Sequence, residues 1–419
     1  MSRKNTSSVF LRAFLQIIIV AVCMVIVAFA SYHAVFWYFQ NGHNKTTKRT
    51  EQAESGIVYT AIMFQNTDKK DTEGIMVKAL HTDTNNVDMI MVPTNTEISA
   101  GSQTYSQLKE KSDVLPEPMT LGEIPTYVTD KTDSCELTVT ALEEVLGIDK
   151  ISYYEEYDQE ELVSIVNLLP EQTLEVPITI TDTDMNGNDI RIEQGTQSLD
   201  GIKACALLSF TGYPQGVLDQ TKIIAQFFEK YYTAALGLDE SSKQEMYENY
   251  YQIVTTNQGD KVLKTYEDNF LSMNSTQIRF HLLDGTQSGT LYQVDSTKLE
   301  SLLQEIEGQT EAYTDEQDML DFYVTPATSS KELEIKVYNG TKVEGLATEW
   351  VHRLSADGYN IIGAANDNSE EKQQAIIYVK EEGTGLDLKA YFPDAEYITD
   401  PSLDGMDIKI VLGMEQAQS

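Results

Sequence analysis

The chain has 419 residues and a formal net charge of −36, from 66 acidic and 30 basic residues. This balance argues against partners that need a basic face, namely nucleic acids and anionic lipid head groups. The hydrophobic content of 41% is enough for buried cores, and the length allows two or three domains.

The first predicted element is a membrane-spanning helix. Residues 13–42 contain no Asp, Glu, Lys or Arg, and about 20 apolar residues suffice to cross a bilayer. We therefore expect a cytoplasmic tail (1–12), a transmembrane helix (13–39) and a polar stalk (40–55). The bulk of the chain would then lie outside the cell, anchored in the cell membrane by a single pass.

Two alternatives to this topology stay open. Ala28-Phe29-Ala30 is similar to a signal-peptide cleavage site, although the aromatic run after it favours retention of the helix. The apolar segment is followed by Lys45, Lys48 and Arg49. The numbers of positive charges on its two sides are therefore nearly equal, which leaves an inverted orientation possible.

The rest of the chain has the pattern of a mixed α/β protein. Apolar runs and four-residue spacing alternate, which predicts strands and helices in turn. The predicted strands are residues 57–64, 74–80, 87–93, 151–157, 174–181, 190–193 and 276–283; the predicted helices are 136–147, 159–169, 199–210, 218–236 and 296–307, with more helix in 240–270.

A polar linker (307–331) precedes a small α/β unit at 332–414. In that unit Leu346, Trp350 and Leu354 recur at four-residue spacing and are expected to face a sheet.

Two groups of residues are candidates for a disulfide bond and for a metal-binding site. Cys135 and Cys205 could pair outside the cell, but two buried free thiols are the favoured interpretation. Asp182, Asp184, Asn186 and Glu193 have the spacing of a calcium-binding EF-hand loop. Their flanks are typical of strands, so a hairpin turn is the favoured alternative.

Two longer segments carry a family resemblance. VLGIDKISYYEEYDQEELVSIVNLL and GTQSLDGIKACAL resemble, in collinear order, segments of the LytR-CpsA-Psr (LCP) family, over residues 56–306. EIKVYNGTKVEGLATEWVHRLSADGYNIIG and DPSLDGMDIKIVLG resemble the LytR C-terminal domain. The resemblance implies an envelope protein with an α/β/α domain and an apolar lipid-holding pocket. Family members move glycopolymers from a polyprenyl-pyrophosphate carrier onto peptidoglycan.

The charged positions that the family uses for this transfer are replaced here. The arginine and aspartate of its first motif fall on Asp71 and Glu73, and those of its second motif on Thr94 and Asn95. The later arginines of the family fall on Ser209, Thr211, Val217 and Gln220. Arginine matters at such a site because its planar fork binds phosphate oxygens in pairs.

Arginine is also scarce nearby, since Arg191 is the one arginine within residues 56–236. We therefore predict a non-catalytic family member that needs no cofactor and binds a lipid-linked or glycan component, peptidoglycan or an envelope protein. One alternative is an active phosphotransferase that uses the point charges of Lys69, Lys70, Lys78 or Lys222 and holds Mg²⁺ with Glu73 or Asp71. Another is a regulatory or interaction module.

Overall fold

The computed structural model describes residues 56–112, 114–183, 187–367, 371–381 and 383–417. The predicted tail, transmembrane helix and stalk lie outside these residues. Within the described part of the chain, no helix combines the length and the apolar character that crossing a membrane requires.

The larger domain is built on a six-stranded sheet. Its strands and those of the smaller sheets around it are Ile57–Asn66 (β1), Asp71–His81 (β2), Val87–Val92 (β3), Glu97–Ile98 (β4), Met119–Thr120 (β5), Tyr153–Asp158 (β6), Gln172–Val176 (β7), Ile180–Thr183 (β8), Asp189–Ile192 (β9), Gly195–Leu199 (β10), Thr255–Thr256 (β11), Ile278–Leu282 (β12), Gly285–Ser288 (β13) and Leu291–Val294 (β14). The six strands are ordered β11-β6-β1-β2-β3-β12. β1 to β3 form an antiparallel meander, while β6 and β12 pair with it in parallel.

Helices cover both faces of this sheet, which confirms the predicted mixed α/β class. They are Gln103–Lys111 (α1), Ile124–Tyr127 (α2), Lys131–Leu146 (α3), Gln159–Val166 (α4), Gly201–Ser209 (α5), Val217–Leu236 (α6), Glu240–Ile253 (α7), Asp260–Ser272 (α8) and Ser296–Gly308 (α9). Successive residues of β1 enter two different cores: Ile62 packs with α6, whereas Met63 packs with α3. Burial on both faces explains why β1 is a continuous apolar run.

The predicted strand over residues 174–181 is two strands in the structure. β7 ends before Pro177 and pairs with β10, whereas β8 pairs with β9. Proline has no amide hydrogen for a ladder and therefore separates the two strands.

The C-terminal unit forms its own sheet and core. Its elements are Ile335–Asn339 (β15), Leu346–Ala356 (α10), Ile361–Asn366 (β16), Ile376–Val379 (β17), Glu396–Thr399 (β18) and Ile408–Leu412 (β19), with the sheet order β16-β15-β19-β17-β18. Leu346, Trp350 and Leu354 are buried in this core, as their spacing predicts. In the larger domain Cys135 and Cys205 are free and buried, so the disulfide alternative is wrong.

Candidate functional site

The positions predicted to replace the family's charged residues converge in part at one end of the central sheet. Asp71 and Glu73 begin β2, and Ser209 at the end of α5 lies beside the Glu73 carboxylate. Thr94 follows β3 and accepts a hydrogen bond of 2.7 Å from the Gly122 amide. A methyl group on Gly122 would lie 3.1 Å from the Thr72 carbonyl and 3.2 Å from Thr94, so these segments pack tightly.

Acidic groups dominate this end of the sheet. The Glu73 side chain is buried, and Asn66 Nδ2 donates to its Oε1 at 2.7 Å. Burial raises the pKa of Glu73, and the Ser209 hydroxyl, the Asn66 amide and the Lys69 ammonium offset only part of this effect. Burial also raises the pKa of Asp71. Two carboxyl groups whose pKa values are raised therefore lie at this end of the sheet.

The other predicted positions point elsewhere. Asn95 Nδ2 donates to the Thr290 carbonyl at 2.9 Å, toward the β13–β14 hairpin. Thr211 is exposed, and Val217 is the half-buried first residue of α6. Gln220 is buried, and its Nε2 donates to the Leu208 carbonyl at 2.8 Å, which ties α6 to α5. The side chains of Asn95 and Gln220 are therefore held by backbone carbonyl groups.

The arginines that the structure describes are all engaged away from this site. Arg191 Nε donates to Glu193 Oε1 at 2.7 Å, and its Nη1 lies 3.8 Å from Asp357 in the C-terminal unit. Arg279 lies over the Tyr313 ring at 4.8 Å, and Arg353 over the Trp350 ring at 4.7 Å. Among the described residues, each of the three arginines thus has a partner other than Asp71 or Glu73.

The lysines proposed as substitutes are dispersed. Lys69 Nζ lies 3.7 Å from Glu73 Oε1, and Lys70 is exposed in the turn before β2. Lys222 is half-buried on α6. Lys78 forms an ion pair of 2.7 Å with Glu155 in the middle of the sheet. Lys69 is thus the one candidate lysine with a described contact to the acidic end of β2.

Metal ligands are equally sparse. Among the described residues, no group of three or more His, Cys, Asp or Glu side chains is arranged to hold a metal ion. Asp71 and Glu73, which the active-enzyme alternative assigns to Mg²⁺, both lie within the first three residues of β2. In the calcium-loop candidate, Asp182 lies on the β8–β9 hairpin and Glu193 is bound to Arg191. Asp184 and Asn186 lie outside the described residues.

A separate apolar cavity of about 110 Å³ lies between the sheet and helices α6 to α8. Aliphatic side chains such as Val58, Leu80 and Met89 form its sheet side, and tyrosines line much of its helical side. Phe64 and Tyr157 are buried, with ring centroids 6.0 Å apart, farther along the same sheet face. Neither the start of β2 nor Ser209 lines the cavity, so this space is separate from the acidic end.

Lys78 and Glu155 line this cavity, and sequence reasoning did not pair them. Tyr250 Oη and Tyr251 Oη also donate to the Glu155 carboxylate, at 2.8 and 2.9 Å. Burial would raise the pKa of Glu155, but the Lys78 charge and these hydrogen bonds together lower it. Lys78 within the apolar run of β2 was the available signal, since such a charge is almost never fully buried unless it is paired.

Comparison with known families identifies the smaller unit first. The model of the LytR cell envelope-related transcriptional attenuator family matches residues 332–415. These residues form a LytR C-terminal domain.

Solved structures then match the fold of the larger domain. Protein gbs0355 from Streptococcus agalactiae gives a TM-score of 0.50 at 15% identity, covering 65% of this chain and 94% of that one. TagV from B. subtilis gives a TM-score of 0.48 at 17% identity, covering 61% of this chain and 99% of that one. A comparison with curated proteins gives no match. An LCP-like domain followed by a LytR C-terminal domain, as the sequence predicts, is confirmed at the level of fold.

Proposed function

We propose that this chain is a membrane-anchored, extracytoplasmic envelope protein that binds a lipid component in its cavity without catalysing glycopolymer transfer. The predicted helix at 13–39 would hold it at the cell membrane by a single pass. The observation that carries the proposal is the exchange of charge at the acidic end of β2. The half-buried Asp71 and the buried Glu73 occupy the positions where the family resemblance requires an arginine and a metal-binding aspartate.

The exchange of basic for acidic residues at this site should weaken the binding of a pyrophosphate. A pyrophosphate carries several negative charges, and phosphoryl transfer is accelerated mainly by positive groups that stabilise them. Three arginines of the LCP-like and LytR C-terminal domains are committed to other contacts, and Lys69 already faces Glu73. A head group at this end of the sheet would meet carboxyl groups and would be repelled.

A thermal-shift comparison on the full chain tests the proposal. We expect polyprenyl pyrophosphate to stabilise the protein no more than polyprenyl phosphate does, with or without Mg²⁺, because stabilisation reports preferential binding to the folded state. Met246→Trp should fill the cavity and abolish the shift, whereas Glu245→Trp on the exposed side of α7 should not. Stabilisation by the pyrophosphate alone, and only with Mg²⁺, would instead support a working transfer site.

A further inference from the structure

The polar wall of the cavity is organised around one carboxylate. Glu155 is almost fully buried, and its Oε1 accepts from Lys78 Nζ at 2.7 Å, Tyr251 Oη at 2.9 Å and Gln258 Nε2 at 3.3 Å. Tyr250 Oη donates to the other oxygen at 2.8 Å. This cluster saturates the carboxylate, so Glu155 itself has little capacity left for a ligand.

Two neighbours of that carboxylate retain unused capacity. Gln258 is only 8% exposed, and its Oε1 has no hydrogen-bond partner. The orientation of this amide is fixed because its nitrogen must face Glu155. The Lys78 ammonium has three N–H donors, and its described hydrogen bond is the one to Glu155. A buried acceptor and a donor thus flank the same carboxylate oxygen at the wall of an apolar space.

The charge balance selects the head group that fits there. Lys78 and Glu155 neutralise each other, so a further anion in the cavity would lack a free counter-charge and would face Glu155. Burying such an uncompensated charge is costly. A hydroxyl group carries no charge, accepts from an ammonium N–H and donates to an amide oxygen. Its chemistry therefore matches both the Lys78 ammonium and the Gln258 side-chain oxygen, which line the same cavity.

The volume of the cavity limits the size of the aliphatic part of the ligand. About 110 Å³ is less than the 150 Å³ of an engineered apolar cavity that holds benzene. The cavity therefore takes a short aliphatic segment next to the head group, and a longer chain must continue through its open side. Val58, Leu80 and Met89 supply aliphatic walls for that segment.

We infer that the cavity binds an aliphatic alcohol of the isoprenoid or fatty class, with its hydroxyl group turned inward against Lys78 and Gln258. This inference rests on the proposed lipid-binding function and names the ligand class for the same cavity. It implies that the chain selects an uncharged lipid and discriminates against the phosphorylated form of the same lipid.

The test is a ligand series on the full-length protein in lipid nanodiscs, with empty nanodiscs as the blank. Geraniol, geranyl phosphate and the hydrocarbon myrcene share a ten-carbon isoprenoid skeleton and differ in the head group. Thermal shift and ligand-observed NMR should give geraniol about tenfold tighter binding than either analogue, the effect of one or two buried hydrogen bonds. Gln258→Met should remove this preference but keep myrcene binding, and Gln244→Met on the exposed side of α7 should change neither.

The outcomes separate this inference from the proposed function. Equal binding of all three probes, or tighter binding of geranyl phosphate, would overturn the alcohol assignment and leave lipid binding standing. Failure of every probe to bind the wild-type protein would overturn both. The wild-type series alone decides between these results, so the conclusion does not depend on the folding of any variant.

Discussion

At the scale of single residues, Glu155 and Glu156 are adjacent on β6 but have opposite electrostatic settings. Alternation along the strand places them on different faces of the sheet. The ion pair with Lys78 and the tyrosine hydrogen bonds lower the pKa of Glu155 despite its burial. Burial raises the pKa of Glu156 to about 7, and the ion pair with Lys131 offsets only part of that effect.

The raised pKa of Glu156 predicts a pH-dependent stability. A group that holds its proton more tightly when folded favours the folded state below its unfolded pKa of 4.5, and this contribution is lost as the pH rises to about 7. The wild type should therefore lose roughly 3 kcal/mol relative to Glu156→Gln over this window. Chemical denaturation of both proteins from pH 4.5 to 8 measures the difference.

Glu160→Gln provides the matched control, because Glu160 is exposed in the first turn of α4. Its stability should parallel that of the wild type throughout the pH range. Equal pH profiles for the wild type and Glu156→Gln would contradict the assignment of a buried, proton-retaining carboxyl at position 156.

At the scale of elements, the segment after α9 covers the free edge of the central sheet. Gln317 lies against β12, where its Oε1 accepts from the Phe280 amide and its Nε2 donates to the Phe280 carbonyl, both at 2.6 Å. Tyr313 in the same segment donates its hydroxyl to the buried Asp88 at 2.9 Å. The side-chain amide thus acts as one residue of an additional strand and protects the edge.

This arrangement predicts a measurable role for Gln317. Gln317→Ala should lower the free energy of unfolding by about 1–3 kcal/mol, because two backbone groups of an edge strand lose their partner. Amide hydrogen exchange should accelerate in residues 278–282. Gln309→Ala removes only a short-range contact to the Glu311 carbonyl. A variant at position 309 that destabilised β12 equally would argue against the capping role.

The sequence predicted those elements whose hydrophobic pattern is visible within the element itself. β1 to β3 contain mostly apolar runs that are buried on both faces, and α10 buries its four-residue stripe, so both could be predicted. Helix α1 was missed because it is short and buries only Thr104, Tyr105 and Leu108. The link between Lys78 and Glu155 joins positions 77 residues apart. Spacing along the chain does not reveal such a pair. The polar wall of the cavity, which this pair forms, was therefore not predicted.

At the scale of the whole molecule, the LytR C-terminal domain contacts the loop that follows α5. Lys389 Nζ donates to the carbonyls of Tyr213 and Pro214, both at 3.0 Å. Burial lowers the pKa of Lys389, and the nearby Asp219 carboxylate opposes that effect. Arg191 makes a second contact across the same boundary, to Asp357. Lys389 and Arg191 therefore both join the larger domain to the LytR C-terminal domain.

This contact predicts that Lys389 couples the unfolding of the two domains. Lys389→Met keeps the apolar stem but removes both hydrogen bonds, and should weaken the coupling by about 1–3 kcal/mol. Calorimetry should then show the two domains unfolding at more widely separated temperatures. Lys380→Met is the control, because its ion pair with Asp407 lies within the C-terminal domain. Identical thermograms for Lys389→Met and the wild type would show that the contact contributes nothing.

The absence of transfer activity is the central claim at this scale. It is tested most directly by incubating the full-length protein with a radiolabelled glycan on polyprenyl pyrophosphate, peptidoglycan and Mg²⁺. An arginine-bearing enzyme of the LCP family serves as the positive control. We expect no glycan on peptidoglycan above the protein-free blank, because Asp71 and Glu73 replace the groups that would bind the pyrophosphate. Mg²⁺-dependent transfer that a chelator abolishes would contradict the account.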